Sequence, residues 1–155
     1  MKTRYLFPNR FKKIGLMILI PATIIGLLMI LYDFYLFNLE FSVFAVYYGA
    51  LFEPSQMFTF IENDTADEII AIMVIVGGLM AAFSEEKDED EYISKIRLES
   101  LLWATYINYG LLLFSVLFIY GSGFLQIMVF NMFTLLFIFL VRFNYLIYKS
   151  ERVLV

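Results

Sequence analysis

The sequence predicts an all-α membrane protein of four transmembrane helices, both termini cytoplasmic, with a small extended, β-like external segment between the first two. Three observations carry this. Of the 155 residues, 62% are hydrophobic and only 17% charged, whereas soluble domains are closer to half apolar. Several uncharged stretches reach the length needed to cross a hydrocarbon core of about 30 Å. All eleven Lys and Arg residues also fall outside the predicted spans, on one side of them.

The first span covers 14–32. It runs uncharged from Ile14 to Tyr32 between Lys13 and Asp33, and is expected to tolerate Pro21 as a mild kink. With no small-residue cleavage site close behind, it reads as an uncleaved span rather than a signal peptide. The second span, 66–83, is the shortest. Its start is marked by Thr65-Ala66-Asp67-Glu68, which has capping-box spacing. Spans three (98–120) and four (124–141) share the compact turn Gly121-Ser122-Gly123 and form an antiparallel hairpin. Past Arg142, the segment Phe143-Asn-Tyr-Leu-Ile-Tyr-Lys149 reads as a continuation along the membrane surface.

Lys2, Arg4, Arg10, Lys12 and Lys13 precede span one. Lys87, Lys95 and Arg97 lie between spans two and three, and Arg142, Lys149 and Arg152 follow span four. The positive-inside rule then places these segments in the cytoplasm. The external segment, 33–64, has no uncharged run long enough to cross. Its residues 39–48 are rich in aromatic and β-branched types and read as a strand. Glu53-Pro54-Ser55 reads as a turn and 57–61 as a second extended piece, together a small cap or hairpin. Neither a repeat nor a linker divides the chain, so it reads as a single membrane domain.

The chain has no Cys and no His, which removes thiolate chemistry and the commonest zinc and haem ligands. No catalytic residue, metal-ligand set or cofactor site emerges, so the chain is expected to be no enzyme. No basic aromatic patch points to nucleic acid. The expected partners are the lipid bilayer, a cytoplasmic protein and a second copy of the chain.

Three groups of residues are candidates for more than a solvated or packed role. The cytoplasmic loop, 84–97, carries Glu85, Glu86, Asp88, Glu89, Asp90, Glu91, Lys95 and Arg97. It reads either as a self-capped helix start, with Asp88 and Glu91 in capping-box spacing and Glu91 to Lys95 an i,i+4 pair, or as a surface for docking a protein. Within the membrane, Asn108, Gln126 and Asn131 are the candidate polar contacts. Asn108 and Asn131 lie about one helical turn apart in depth on antiparallel spans, within reach of a hydrogen bond, direct or through water, as glue or as part of a polar path in a small transporter or channel subunit. Gly77, Gly78, Ala81 and Ala82 have small-xxx-small spacing and predict close helix packing, within the chain or in a homodimer. Outside, Glu62, Asp64, Asp67 and Glu68 read as helix-start acids.

The stretch Glu89-Asp-Glu-Tyr-Ile-Ser-Lys-Ile-Arg-Leu-Glu-Ser-Leu-Leu-Trp-Ala-Thr-Tyr-Ile-Asn108, with Asp67-Glu68 and the Asn131 region, resembles a group of uncharacterised four-span membrane proteins of Bacteroidota-type bacteria. The resemblance implies a bacterial inner membrane and brings no activity with it. The function expected from the residues is a non-enzymatic sensory, regulatory or scaffold component.

Overall fold

The computed structural model describes residues 6–32, 40–49, 56–87 and 89–153. The element order is α1 (Arg10–Tyr32), β1 (Glu40–Tyr48), β2 (Gln56–Asp64), α2 (Ala66–Ala82), α3 (Glu91–Phe118) and α4 (Ser122–Val153). The expected Glu53-Pro54-Ser55 turn and Asp88 lie outside the described residues.

Three segments, Arg10–Leu31, Glu91–Phe118 and Ser122–Ser150, are long and apolar enough to cross a membrane. The fourth helix, α2, has 17 residues, about 25 Å of rise. α1 packs on α2, α2 on α4 and α4 on α3, so the helices stand in the order α1–α2–α4–α3.

The burial pattern inverts that of a water-soluble bundle. Met17, Leu31, Leu113, Phe118 and Val141 face outward, while Ser84, Arg97, Ser100, Asn108 and Ser115 are buried. Large apolar groups facing out and small or polar groups facing in is the arrangement expected where lipid is the solvent. The core itself joins Leu19 and Ala22 of α1, Val74, Ala81 and Ala82 of α2, and Phe139, Leu140 and Phe143 of α4.

The small residues explain how α1 and α2 meet. A Cβ at Gly77 would lie 2.9 Å from the backbone nitrogen of Leu19 and 3.0 Å from the Gly15 carbonyl oxygen. One at Gly15 would lie 2.6 Å from the Ala81 nitrogen. The two backbones therefore touch through the Gly77/Ala81 stripe. Gly78 faces the other way, and a Cβ there would meet the Leu136 side chain of α4. The adjacent small stripes of α2 thus serve two neighbours within the chain.

Between α1 and α2 the described strands form an antiparallel hairpin, paired from Glu40↔Asp64 to Tyr48↔Gln56. The second strand is longer than the expected 57–61, because Glu62, Asn63 and Asp64 complete the ladder opposite Ser42, Phe41 and Glu40. Phe58 has φ 54, an uncommon conformation for a bulky residue, and its pairing opposite Val46 is interrupted. Phe44 packs against Phe58 and Phe60 on one face of the hairpin.

Both expected capping boxes are displaced. Thr65 makes no side-chain cap bond to α2; Asp64 Oδ1 instead accepts from the Ala66 N–H at 3.1 Å. α3 starts at Glu91 rather than near Asp88, with Asp90 accepting from the Ile93 N–H at 2.8 Å. Where several acids lie within one turn, any of them can satisfy the free amides, and tertiary position chooses among them. The turn into α4 comes two residues earlier than Gly121-Ser122-Gly123: Ile119, Tyr120 and Gly121 separate the helices, and Gly121 adopts φ 72. Beyond Arg142 the chain stays in α4, as the continuation expected there. It continues as one helix of 32 residues, about 48 Å long, because Phe143, Leu146 and Ile147 have core to pack against.

Candidate functional site

At the basic end of the bundle, four pieces of chain are tied together. Phe7 forms a parallel bridge with Ser84: its N–H donates to the Phe83 carbonyl, and its carbonyl accepts from the Glu85 N–H, both at 2.8 Å. The Asn9 side chain donates to the Glu85 carbonyl at 2.7 Å. One helical turn on, Lys12 of α1 forms an ion pair with Glu86.

At the centre is Arg97. Its two terminal nitrogens donate to the two Glu89 carboxylate oxygens at 2.6 and 3.0 Å, and one also donates to the Ser84 carbonyl at 3.1 Å. The guanidinium lies 5.0 Å from the centroid of Phe143, itself stacked on Phe139. A bidentate guanidinium–carboxylate pair over an aromatic face is geometry that Arg supplies and Lys does not. Arg97 is 7% exposed, so it acts as an internal strut.

Burial disfavours the charged form of Glu89. Hydrogen bonds from Arg97 and from the Glu86 N–H, with the Arg97 charge, more than offset this and hold the carboxyl below the ordinary glutamate range.

This geometry divides the predicted loop residues. Glu86, Glu89 and Arg97 are turned inward on partners within the chain, while Glu85, Asp90, Glu91 and Lys95 are exposed. The expected Glu91–Lys95 pair is not formed: among the described residues Lys95 has no ion-pair partner. The loop's local turn sets these pairings, and helical spacing does not foresee it.

Deeper in the bundle, Asn108 and Asn131 exchange side-chain hydrogen bonds, each amide nitrogen donating to the other's oxygen at 3.2 Å. They lie about 16 to 18 Å from the Arg97/Phe143 level by helical rise, near the middle of the hairpin. Gln126 is exposed on α4 and does not join them. Thr105, Ser115 and Thr134 donate their hydroxyls to carbonyls of their own helices, whereas Ser100 Oγ is buried with no hydrogen-bond partner among the described residues. Asn108→Leu leaves Asn131 without its partner in an apolar seam. It is expected to cost about 0.6 to 2 kcal/mol, read as thermal unfolding in lipid nanodiscs. The double replacement with Asn131→Leu is expected to cost less than the sum of the singles.

Two features of the basic end had no counterpart in the predicted sites. Arg142 stacks on Trp103 with 4.7 Å between guanidinium carbon and ring centroid. A cleft of about 670 Å³ opens between the start of α3 and the end of α4. Trp103 and Arg142 both mark span edges in the sequence, but 39 positions separate them, so only the antiparallel hairpin shows that they meet. Among the described residues, no group of three or more Asp or Glu side chains is placed to hold a metal ion.

The chain matches no protein-family model, no curated protein and no solved structure.

Proposed function

We propose that this chain is a bacterial inner-membrane protein that crosses four times, keeps both termini in the cytoplasm, and works without catalysis as a docking component of a sensory, regulatory or scaffold assembly. One observation carries it. The ties among Phe7, Lys12, Ser84, Glu86, Glu89 and Arg97 fix the loop's inner charges and leave Glu85, Asp90, Glu91 and Lys95 outward on a braced platform. A charged surface held in place loses little entropy when a partner binds.

The crossing number is supported by the place of α2. It lies between α1 and α4, in backbone contact with α1 near Gly15 and reaching Gly26 through Ile70. A helix held along a membrane-spanning neighbour shares its depth. In the Asn108–Asn131 pair each side chain finds a donor and an acceptor in the other, which favours glue over a transport path, and Gln126 stands apart from it.

The topology is tested with single cysteines, which are unique labels because the chain has none. In intact cells, an impermeant maleimide is expected to react with Tyr48→Cys and Ser122→Cys, and with Lys87→Cys only after permeabilisation. Labelling of Lys87→Cys together with Ser122→Cys from outside would overturn the topology. Docking is tested by comparing co-purified partners of the wild type and of Glu85→Gln/Asp90→Asn/Glu91→Gln; Asn caps a helix about as well as Asp, so α3 keeps its start. Specific partners are expected to be lost, and identical partner sets would remove the docking role.

A further inference from the structure

We propose that the cleft between the start of α3 and the end of α4 binds the phosphate headgroup of an anionic membrane phospholipid. Its lining includes Tyr92, Lys95 and Glu99 from α3, and Leu146, Lys149 and Ser150 from α4. At about 670 Å³ it is of the size that small-molecule sites usually have.

Charge decides the ligand. Lys95 and Lys149 approach the cleft from opposite walls, and neither has an ion-pair partner among the described residues. Arg142 lies one turn from Leu146 toward the membrane, held over the Trp103 ring, and its Nε is buried without a hydrogen-bond partner. Two carboxylates, Asp90 and Glu99, line the cleft with the two lysines, so the charges of the lining itself balance. Arg142 beneath it leaves one positive charge over, and a phosphodiester anion balances it.

Position decides the source. The chain is uncharged from Ser100 to Val141, so Glu99 and Arg142 bound the apolar part of the hairpin. The cleft therefore opens at the boundary where lipid phosphates lie. Below Glu99 the same face of α3 carries Trp103, Tyr106 and Gly110 at helical spacing. Nothing lies within 4 Å of where a Gly110 Cβ would be. A lipid's acyl chain has an open track down this face, and a soluble anion makes no use of one.

The site rests on the membrane reading but not on the docking role. Trp103 is the chain's sole tryptophan and lies under Arg142, one helical turn from Glu99, so its fluorescence reports lipid beside the cleft. The full chain is reconstituted in bilayers holding equal mole fractions of chain-brominated phosphatidylglycerol or chain-brominated phosphatidylcholine. Quenching of Trp103 is expected to favour phosphatidylglycerol by at least about threefold. The preference should vanish in Lys95→Gln/Lys149→Gln, rise in Glu99→Gln, and persist in Lys13→Gln, a basic residue of α1 away from the cleft. Inorganic phosphate at matched ionic strength should not relieve it.

Equal quenching by both lipids, or a preference untouched by the double substitution, overturns the proposal. So does loss of the preference in Lys13→Gln, which would mean diffuse surface attraction, and so does relief by inorganic phosphate, which would assign the cleft to a soluble anion. Failure of the membrane reading would show earlier and differently, as a chain that does not enter bilayers.

Discussion

Glu89→Gln is expected to destabilise the folded chain by about 3 to 5 kcal/mol, because it leaves Arg97 charged and buried without its counter-ion. The Arg97 side chain is 9% exposed and that of Glu89 19%, so water can do little to replace the lost partner. Gln keeps the shape and one acceptor, which isolates the charge. Thermal unfolding in nanodiscs measures the cost. The double change Glu89→Leu/Arg97→Met removes both charges and should recover much of the stability, since apolar replacement of a whole buried pair is often neutral or better. If Glu89→Gln unfolds like the wild type, the strut is not structural.

The same pair predicts a pH response. The Glu89 carboxyl is held below its ordinary range in the folded chain, so the folded state binds that proton less readily than the unfolded chain. Its stabilising contribution is therefore complete above the unfolded value and is lost as pH falls through the folded one. The acid limb of a stability profile should flatten in Glu89→Leu/Arg97→Met.

The second large effect is expected at Gly15. A methyl group there meets backbone atoms of α2, the Ala81 nitrogen at 2.6 Å and the Gly77 oxygen at 2.7 Å, and backbone cannot rotate aside. Gly15→Ala should force α1 and α2 apart and cost about 1 to 3 kcal/mol, toward the upper end of what overpacking usually costs. Two comparisons make this specific. At Gly78 the obstacle is the end of the Leu136 side chain, which can change rotamer, so Gly78→Ala should cost less. At Gly110 nothing lies within 4 Å, and Gly110→Ala should be neutral or stabilise by up to about 1 kcal/mol through helix propensity. Equal losses at all three positions would show that helix contact distance is not the cause.

Much of the local order was legible in the sequence because it follows from periodicity and charge. Uncharged length marked residues 14–32 of α1 and the α3/α4 pair. Aromatic and β-branched density marked Glu40–Tyr48 as a strand. Small-xxx-small spacing marked α2 as a helix of close approach. Opposed positions on antiparallel spans also put Asn108 within reach of Asn131. The errors cluster where several residues compete for one role. At the helix starts the side chains of Asp64 and Asp90 meet the free amides, where Thr65 and Asp88 were expected to. Glu62 read as a helix-start acid and lies in β2 instead, opposite Ser42.

What the sequence alone determined is where the apolar lengths lie and on which side the cations gather, since both depend only on transfer free energies that each residue carries with it. Which surfaces meet was decided by the tertiary structure. Gly15 gained its role only once Gly77 lay against it, and Trp103 only once Arg142 arrived from 39 positions away. Glu89 and Arg97 changed from outward charges to an internal strut when the loop turned back on α3. Contacts of this kind depend on the register between distant segments, and register comes from packing the whole bundle at once.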